Sequence, residues 1–317
     1  MKVERIVPLP LTKEQALACA VRAAQEQLHV RAEGAKYLGG GSFGRAVGLT
    51  LPGGKKIVVK LLRAKDMMEK EAHDLRLLRE HCPVRMPAVL FERRAGGEIP
   101  ADCYGMEHIE GKNALFALGM LLQGKRKRLA FAEEVTAALH AVHGCRHEKF
   151  GDTMRPDCDT WLQYYRPFAE QVLEKAEDLY VEEKISGKIV GAMRAAWKKF
   201  DVIFSEPVKE ACLIHGDLNI ANIMVSRGGK VTGFIDPLNS MYADREYDLF
   251  QFNNLTGKRF LLCDTYTANY GASALCAHKL AFYGLWNEVF CYIKSGVLVG
   301  LIMDPLVKNM LKRAAEL

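Results

Sequence analysis

Apolar residues recur early in the chain at Leu17, Ala20, Val21, Ala24 and Leu28, the spacing of one helix face. Thr12-Lys13-Glu14-Gln15 just before them reads as a capping box, with the Thr12 side chain closing the helix start and Gln15 reaching back. The period then shortens. Tyr37-Leu38 and Ala46-Val47-Gly48-Leu49 flank four glycines within residues 39–44, which predicts strand, glycine turn, strand. Pro52-Gly53-Gly54 predicts a second turn. The β-branched run at 57–62 has the composition of a buried strand. Residues 66–81 return to helical spacing through Met67, Glu71, Leu75 and Leu78. Residues 103–106 form a short strand candidate, and Glu110-Gly111 breaks the chain. From about 113 onward helices dominate, 131–143 being a clear case. Strand-like patches are expected again only at 213–214, 223–225 and 233–235. No repeat or low-complexity segment is visible. The pattern predicts a small mixed α+β front and a larger, mainly helical back, joined near 107–111.

Composition narrows this picture. At 317 residues the chain exceeds the size at which one core stops growing, so two lobes are expected. Hydrophobic residues make up 49% and charged residues 26%, which excludes long disorder. The net charge of +6 is uneven: residues 1–150 hold 25 Lys/Arg against 17 Asp/Glu, while 151–317 hold 19 against 21. The basic part suits phosphates and the near-neutral part an amine, against the plainer reading of a solvated surface. The run Lys125-Arg126-Lys127-Arg128 beside Gly124 reads as an exposed loop. With no aromatic-rich RNA-binding signature beside it, a nucleic-acid partner is not expected. Nine scattered cysteines show no Cys-x-x-Cys and no zinc spacing, which fits reduced thiols in a cytosolic protein. The start, Met1-Lys2-Val3-Glu4-Arg5, lacks the apolar segment of a signal peptide, and no run reaches 18 apolar residues; the one at 297–303 stops at Asp304-Pro305. The expected location is the cytoplasm, with no membrane contact.

Four motifs carry candidate chemistry. Gly39-Gly40-Gly41-Ser42-Phe43-Gly44 lies between two strands. Glycines let a backbone approach phosphates closely enough for its N–H groups to donate. A ligand-free glycine hairpin is the plainer alternative. A strand rather than a helix follows, which argues against a dinucleotide-binding turn. Lys60 stands alone in the apolar run 57–62. It either points outward from an edge strand, or touches phosphates and pairs with a carboxylate on the next helix, Glu71 or its rival Glu69. The most specific motif is Leu213-Ile214-His215-Gly216-Asp217-Leu218-Asn219-Ile220-Ala221-Asn222-Ile223-Met224-Val225. Phosphoryl transfer needs a carboxylate near the attacking hydroxyl and oxygen ligands for Mg²⁺; Asp217 suits the first role and Asn222 the second. Both could instead merely make turns. Finally, Asp236 of Gly233-Phe234-Ile235-Asp236-Pro237 ends a strand a hairpin's reach from Asn222, where the two could hold metal, and Asp248 is expected to brace the loop by hydrogen bonding. Asp244 and Arg245 read equally as a surface ion pair. Trp161, Tyr164, Tyr165, Tyr283 and Trp286 are either core or the walls of an acceptor pocket.

Taken in order, these motifs resemble the aminoglycoside phosphotransferase and fructosamine kinase superfamily, relatives of the eukaryotic protein kinases, over roughly residues 30–255. His215-Gly216-Asp217 with Asn222, and Ile235-Asp236 with Asp248-Leu249, are specific for it. Protein kinases proper usually carry Arg where Gly216 stands and Phe-Gly where Pro237 follows Asp236. Tyr242-Ala243-Asp244-Arg245-Glu246 before Asp248, and Trp161-Leu162-Gln163-Tyr164-Tyr165-Arg166, look most like fructosamine kinases. The glycine loop is more like a general kinase loop. The resemblance implies a two-lobed, protein-kinase-like α+β fold: a nucleotide-binding lobe at 1–106 with an antiparallel sheet and one key helix, a hinge at 107–111, and a mainly helical catalytic and substrate-binding lobe at 112–317. It implies ATP in the cleft, its adenine against Met106–Ile109, with the Glu107 carbonyl and the Ile109 N–H at its edge. Gly39, Gly41, Ser42, Phe43 and Gly44 would cover the phosphates, and Lys60, oriented by Glu71, would bind them. Asn222 and Asp236 would coordinate Mg²⁺, Asp217 would take the acceptor's proton, and His215 and Asp248 would support the site. The implied acceptor is a fructosamine- or ribulosamine-type sugar amine. The alternatives are an aminoglycoside or choline-like amino alcohol or, from another class, a silent nucleotide-binding pseudokinase.

Overall fold

A computed structural model describes residues 3–254 and 257–317; Met1 and Lys2 of the leader reading lie outside the described residues. The capping box forms as expected: Gln15 N–H donates to Thr12 Oγ1 at 3.2 Å and Thr12 N–H to Gln15 Oε1 at 2.9 Å. It starts α1, Lys13–Leu28. The buried stripe of α1 is Ala16, Cys19, Ala20, Ala23 and Ala24, with Leu17, Val21 and Leu28 at its margin. The face is turned from the expected one because small side chains let the helix approach a sheet closely.

That sheet is antiparallel, ordered β1 (Gly34–Gly39), β2 (Gly44–Thr50), β3 (Lys56–Leu62), β5 (Cys103–Glu107), β4 (Val89–Arg93). In β3 the strand alternation sends Ile57, Val59 and Leu61 into the core under α1. Lys60 therefore points to the other face. It lies in the middle strand, paired on both sides, so the edge-strand reading is wrong. Helix α2 (Met68–His81) covers that second face, burying Met68, Leu75 and Leu78.

The rest is mainly helical. In chain order it comprises β6 (Lys112–Asn113), α3 (Leu118–Leu121), α4 (Lys125–His143), β7 (Arg146–His147), β8 (Phe150–Asp152), β9 (Arg155–Cys158), α5 (Trp161–Val181), α6 (Gly187–Trp197) and α7 (Phe200–Ile203). Then follow β10 (Ala211–Leu213), β11 (Ile223–Val225), β12 (Val231–Phe234), β13 (Met241–Ala243), α8 (Glu246–Leu249), α9 (Leu262–Tyr270), α10 (Cys276–Ser295) and α11 (Gly300–Ala315). Two small sheets, β7-β10-β13-β8-β9 and β12-β11-β6, carry the loops between them. Two expectations need correction. Strands β7, β8, β9 and β13, two to four residues each, carry too little pattern to read. Lys125–Arg128 is the exposed first turn of α4, not a loop. Pro305 lies inside α11. The aromatic residues considered as acceptor walls are core: Trp161, Tyr165, Tyr283 and Trp286 are each at most 1% exposed, and Trp161 and Tyr165 stack at 5.0 Å. Only Tyr164 is partly exposed. All nine cysteines are free. Among the described residues no helix is long and apolar enough to cross a membrane.

Candidate active site

Strand β10 delivers the loop 214–222 and β11 carries the chain away. The loop is pinned from below by Asp248, fully buried on α8. Its carboxylate accepts the backbone N–H groups of His215 at 2.8 Å and Gly216 at 2.7 Å, and contacts His143 Nε2 at 3.1 Å. Burial holds the His215 imidazole neutral, its pKa lowered to about 4. Gly216 has φ +80°, and a Cβ there would lie 2.9 Å from the Asn239 carbonyl oxygen and closer still to that of Leu238. Only glycine fits, because two backbone segments pass at contact distance in a left-handed conformation.

Asp217 follows. Asn219 Nδ2 donates to its Oδ1 at 2.9 Å and Asn222 Nδ2 to its Oδ2 at 3.1 Å. Burial, reinforced by the nearby Asp236 charge, raises its pKa to about 7 despite these donors. A carboxylate so placed can accept a proton near neutral pH. Asn222 and Asp236 flank the pairing of Ile223 with Phe234, and Ile235 N–H donates to the Asn222 carbonyl at 3.0 Å. The two side chains thus leave neighbouring strand ends. Asp236 itself sits in the left-handed region at φ +56°.

Lys60 joins the halves of the molecule. Its Nζ lies 2.7 Å from Glu71 Oε2 and 2.7 Å from Asp236 Oδ1. Burial alone would lower its pKa; Asp236 and Glu71 outweigh that and hold the ammonium charged. Lys60 in turn outweighs burial at Asp236 and keeps that carboxylate ionised. Tyr104 O–H donates to Glu71 Oε2 at 3.0 Å. Glu69 points away and pairs with Arg94 at the surface, which decides between the rivals.

The glycine turn lies over this group: a Cβ on Gly44 would come within 3.2 Å of Lys60 Cε. Gly39 has φ +142° at a register shift in β1, and space around Gly41 is open. The Ser42 carbonyl accepts from Arg63 at 3.3 Å. Lys294 of α10 lies 5.3 Å from the centre of the Phe43 ring. Met106 and Glu107 end β5 beside β4, the Glu107 N–H bonding the Ala88 carbonyl at 2.9 Å. Ile109 is buried with its side chain against Gly233.

Other functional groups escaped the sequence. Asp244 is buried and pairs with Lys279, not Arg245, and accepts from Tyr283 O–H at 2.8 Å; Lys279 also bonds Glu246 at 2.7 Å. Arg245 donates instead to the Tyr270 and Gly271 carbonyls. The surface-pair reading therefore fails, since its true partner lies in a helix 35 residues on. Glu288 and Cys291 of α10 also went unread; burial raises the pKa of both.

A paired lysine and carboxylate beneath a glycine turn, facing a loop Asp, is the arrangement that phosphoryl transfer calls for. Residues 35–275 match the phosphotransferase enzyme family (APH), and the chain belongs to that family as a small-molecule phosphotransferase. The fold is shared with solved structures at low identity. A protein assigned as a fructosamine-3-kinase from Thermobifida fusca is 17% identical, with 94% of this chain and 98% of that one covered and a TM-score of 0.64. Aminoglycoside 2'-phosphotransferase-IIIa, solved with GDP, is 14% identical over 96% and 99%, at 0.67. Macrolide 2'-phosphotransferase type I is 19% identical over 96% and 98%, at 0.61. No curated protein matches in sequence.

Proposed function

We propose that the chain transfers the γ-phosphate of ATP to a hydroxyl of a sugar-linked amine of fructosamine or ribulosamine type. The observation that carries this reading is the joint placement of Lys60, Glu71 and Asp236 within hydrogen-bond reach, beside Asp217 and Asn222. In this reading residues 1–106 are the nucleotide lobe, 107–111 the hinge holding the adenine edge at Glu107 and Ile109, and 112–317 the acceptor lobe. The residues at 39–44 cover the phosphates, Lys60 binds them and Glu71 aims it. Asp217 orients the acceptor hydroxyl and takes its proton. The donor set fits Mg²⁺: Asn222 uses its amide N–H groups on Asp217, leaving Oδ1 free, and Asp236 has Oδ2 unbonded. Among the described residues no cluster of three or more His, Cys, Asp or Glu could hold a metal by itself, so phosphate oxygens would have to complete the coordination. Asn222 and Asp236 would hold Mg²⁺ there, which would supply positive charge against the phosphates. The cytoplasm, where ATP is abundant and thiols stay reduced, suits this chemistry and the nine free cysteines.

A cationic acceptor is favoured by Glu288, a partly buried carboxylate on α10 with no cationic partner among the described residues. Its charge and that of Asp217 both raise the pKa of the buried Cys291 thiol, so the two carboxylates act on one residue of α10. Aminoglycosides present the same chemistry and are the second reading. A silent pseudokinase would not need Lys60, Asp217, Asn222 and Asp236 all in place. Coupled ADP release is the test, using fructosamines, aminoglycosides and choline-like amines against neutral and anionic alcohols. Efficient turnover of the last two groups alone would end the amine reading; ATP and Mg²⁺ failing with every acceptor would end the kinase reading.

A further inference from the structure

Beside Glu71 on α2 lie two charged residues that phosphate binding does not use. Lys70 and Asp74 are one turn apart, and Asp74 is 2% exposed. Lys70 Nζ contacts both Asp74 oxygens at 2.6 and 2.5 Å, Thr153 Oγ1 at 2.9 Å and the Ser240 carbonyl at 2.8 Å. The Thr153 hydroxyl donates to Asp74, and Asp152 adds a carboxylate oxygen at 3.8 Å. Thr153 lies between β8 and β9, and Ser240 lies four residues beyond Asp236. Ser240 continues the chain of contacts: its hydroxyl donates to the His215 carbonyl at 2.9 Å, and Ile214 N–H bonds the Met241 carbonyl at 3.0 Å. One polar path thus runs from the helix of Glu71 to the loop of Asp217.

We propose that Lys70 and Asp74 are positioning residues for phosphoryl transfer: they fasten α2 to the segment 236–240, so that Glu71, Lys60, Asp236 and Asp217 stay in register before substrates bind. The inference rests on the phosphotransfer reading of the site. A simple stabilising role explains the cluster poorly. A buried ion pair is seldom worth more than the apolar residues that could replace it, and burial pushes Asp74 up to about 6 even beside Lys70. Direction is what the pair supplies. Asp236 and Asn239 both occupy the left-handed region, at φ +56° and +58°, where non-glycine backbone relaxes unless held. Lys70 grips the segment from above at Ser240 while Leu238 and Asn239 rest on Gly216 from below. In related folds the lysine–glutamate pair is assembled by moving the helix that carries the glutamate; here that helix is fastened by its own side chains.

The test compares Lys70→Met, Lys70→Arg and the doubly apolar Lys70→Met/Asp74→Leu with wild type. The readouts are thermal unfolding, binding of a fluorescent ATP analogue with Mg²⁺, ADP release, and amide exchange along α2. Lys70→Met should lower turnover roughly tenfold or more while nucleotide affinity changes by no more than about threefold, and amides of α2 should exchange faster. Lys70→Arg should retain more turnover than Lys70→Met. The double variant removes the stranded carboxylate, so it should regain stability but not turnover. Recovery of both together would overturn the proposal in favour of a merely structural pair, as would wild-type turnover in folded Lys70→Met. If wild type neither binds the analogue nor releases ADP, the phosphotransfer reading fails instead, and unchanged α2 exchange in Lys70→Met would overturn the fastening separately.

Discussion

Gly216→Ala is the sharpest single perturbation of the active loop. At φ +80° the new methyl enters a conformation that disfavours any Cβ, a cost of about 1–2 kcal/mol. The methyl would also lie within 2.9 Å of the Asn239 carbonyl oxygen and inside contact distance of the Leu238 carbonyl oxygen. Both obstacles are backbone, so no side-chain rotation relieves them, and overpacking of this kind adds about 1–3 kcal/mol. The expected destabilisation is therefore about 2–5 kcal/mol. The alternative is displacement of 236–240 or of the loop, which shifts Asp236 away from Asp217. A misplacement on the order of 1 Å costs about a hundredfold in rate. Urea unfolding and ADP release on the same preparation measure the two effects. An alanine variant with unchanged midpoint and turnover would refute the argument that these segments touch through Gly216.

Asp217→Asn keeps shape and removes the proton acceptor, so turnover should fall by about 10²–10⁴ while a nucleotide analogue still binds; near-normal turnover in folded protein removes Asp217 from the chemistry. Asp236→Ala should abolish the Mg²⁺ dependence of nucleotide binding, and an unchanged Mg²⁺ titration rejects that ligand assignment. His215 has its pKa lowered from 6.5 to about 4 by burial, so the unfolded chain takes up a proton that the native imidazole refuses. Its contribution is present above pH 6.5 and is lost as pH falls through 4, by roughly 3 kcal/mol. In urea titrations from pH 7 to 4, wild type should lose that much more stability than His215→Asn, and parallel curves would contradict a buried neutral ring.

The parts of the fold legible in the sequence are those with enough residues to show a period. The alternation in β3 turns Lys60 off the core face, and the capping box starts α1 where Thr12 predicts. The loop 214–222 was legible for a different reason: its polar residues interrupt two fully buried strands, β10 and β11. What stayed hidden depends on long-range approach. Nothing near Asp244 in sequence identifies Lys279 as its partner, and nothing near Lys70 identifies Ser240, 170 residues away. The aromatic cluster shows the converse error. Trp161 and Tyr283 have the chemistry of a sugar-binding wall, but their polar atoms satisfy each other at 2.8 Å inside the core.

The charges of the cleft explain why the reaction is easier to read than the acceptor. The ammonium of Lys60 faces the carboxylates of Glu71 and Asp236, and Asp217 lies close enough for Asp236 to raise its pKa. Such a site repels a bare polyphosphate. In the proposed reading it would accept one together with added positive charge, to which Asn222 and Asp236 would offer uncommitted oxygens at adjacent strand ends. These demands fall on residues that any acceptor would share, which is why their motif is compact. In the proposed reading, recognition of the acceptor would fall instead on α10, where Glu288 and Lys294 have no ion-pair partner among the described residues, one acting on Cys291 and the other at the Phe43 ring. Those two positions sit in a helix whose sequence pattern is set by burying Phe282, Trp286 and Phe290. A substrate preference can therefore change there with no trace in the motifs that define the chemistry.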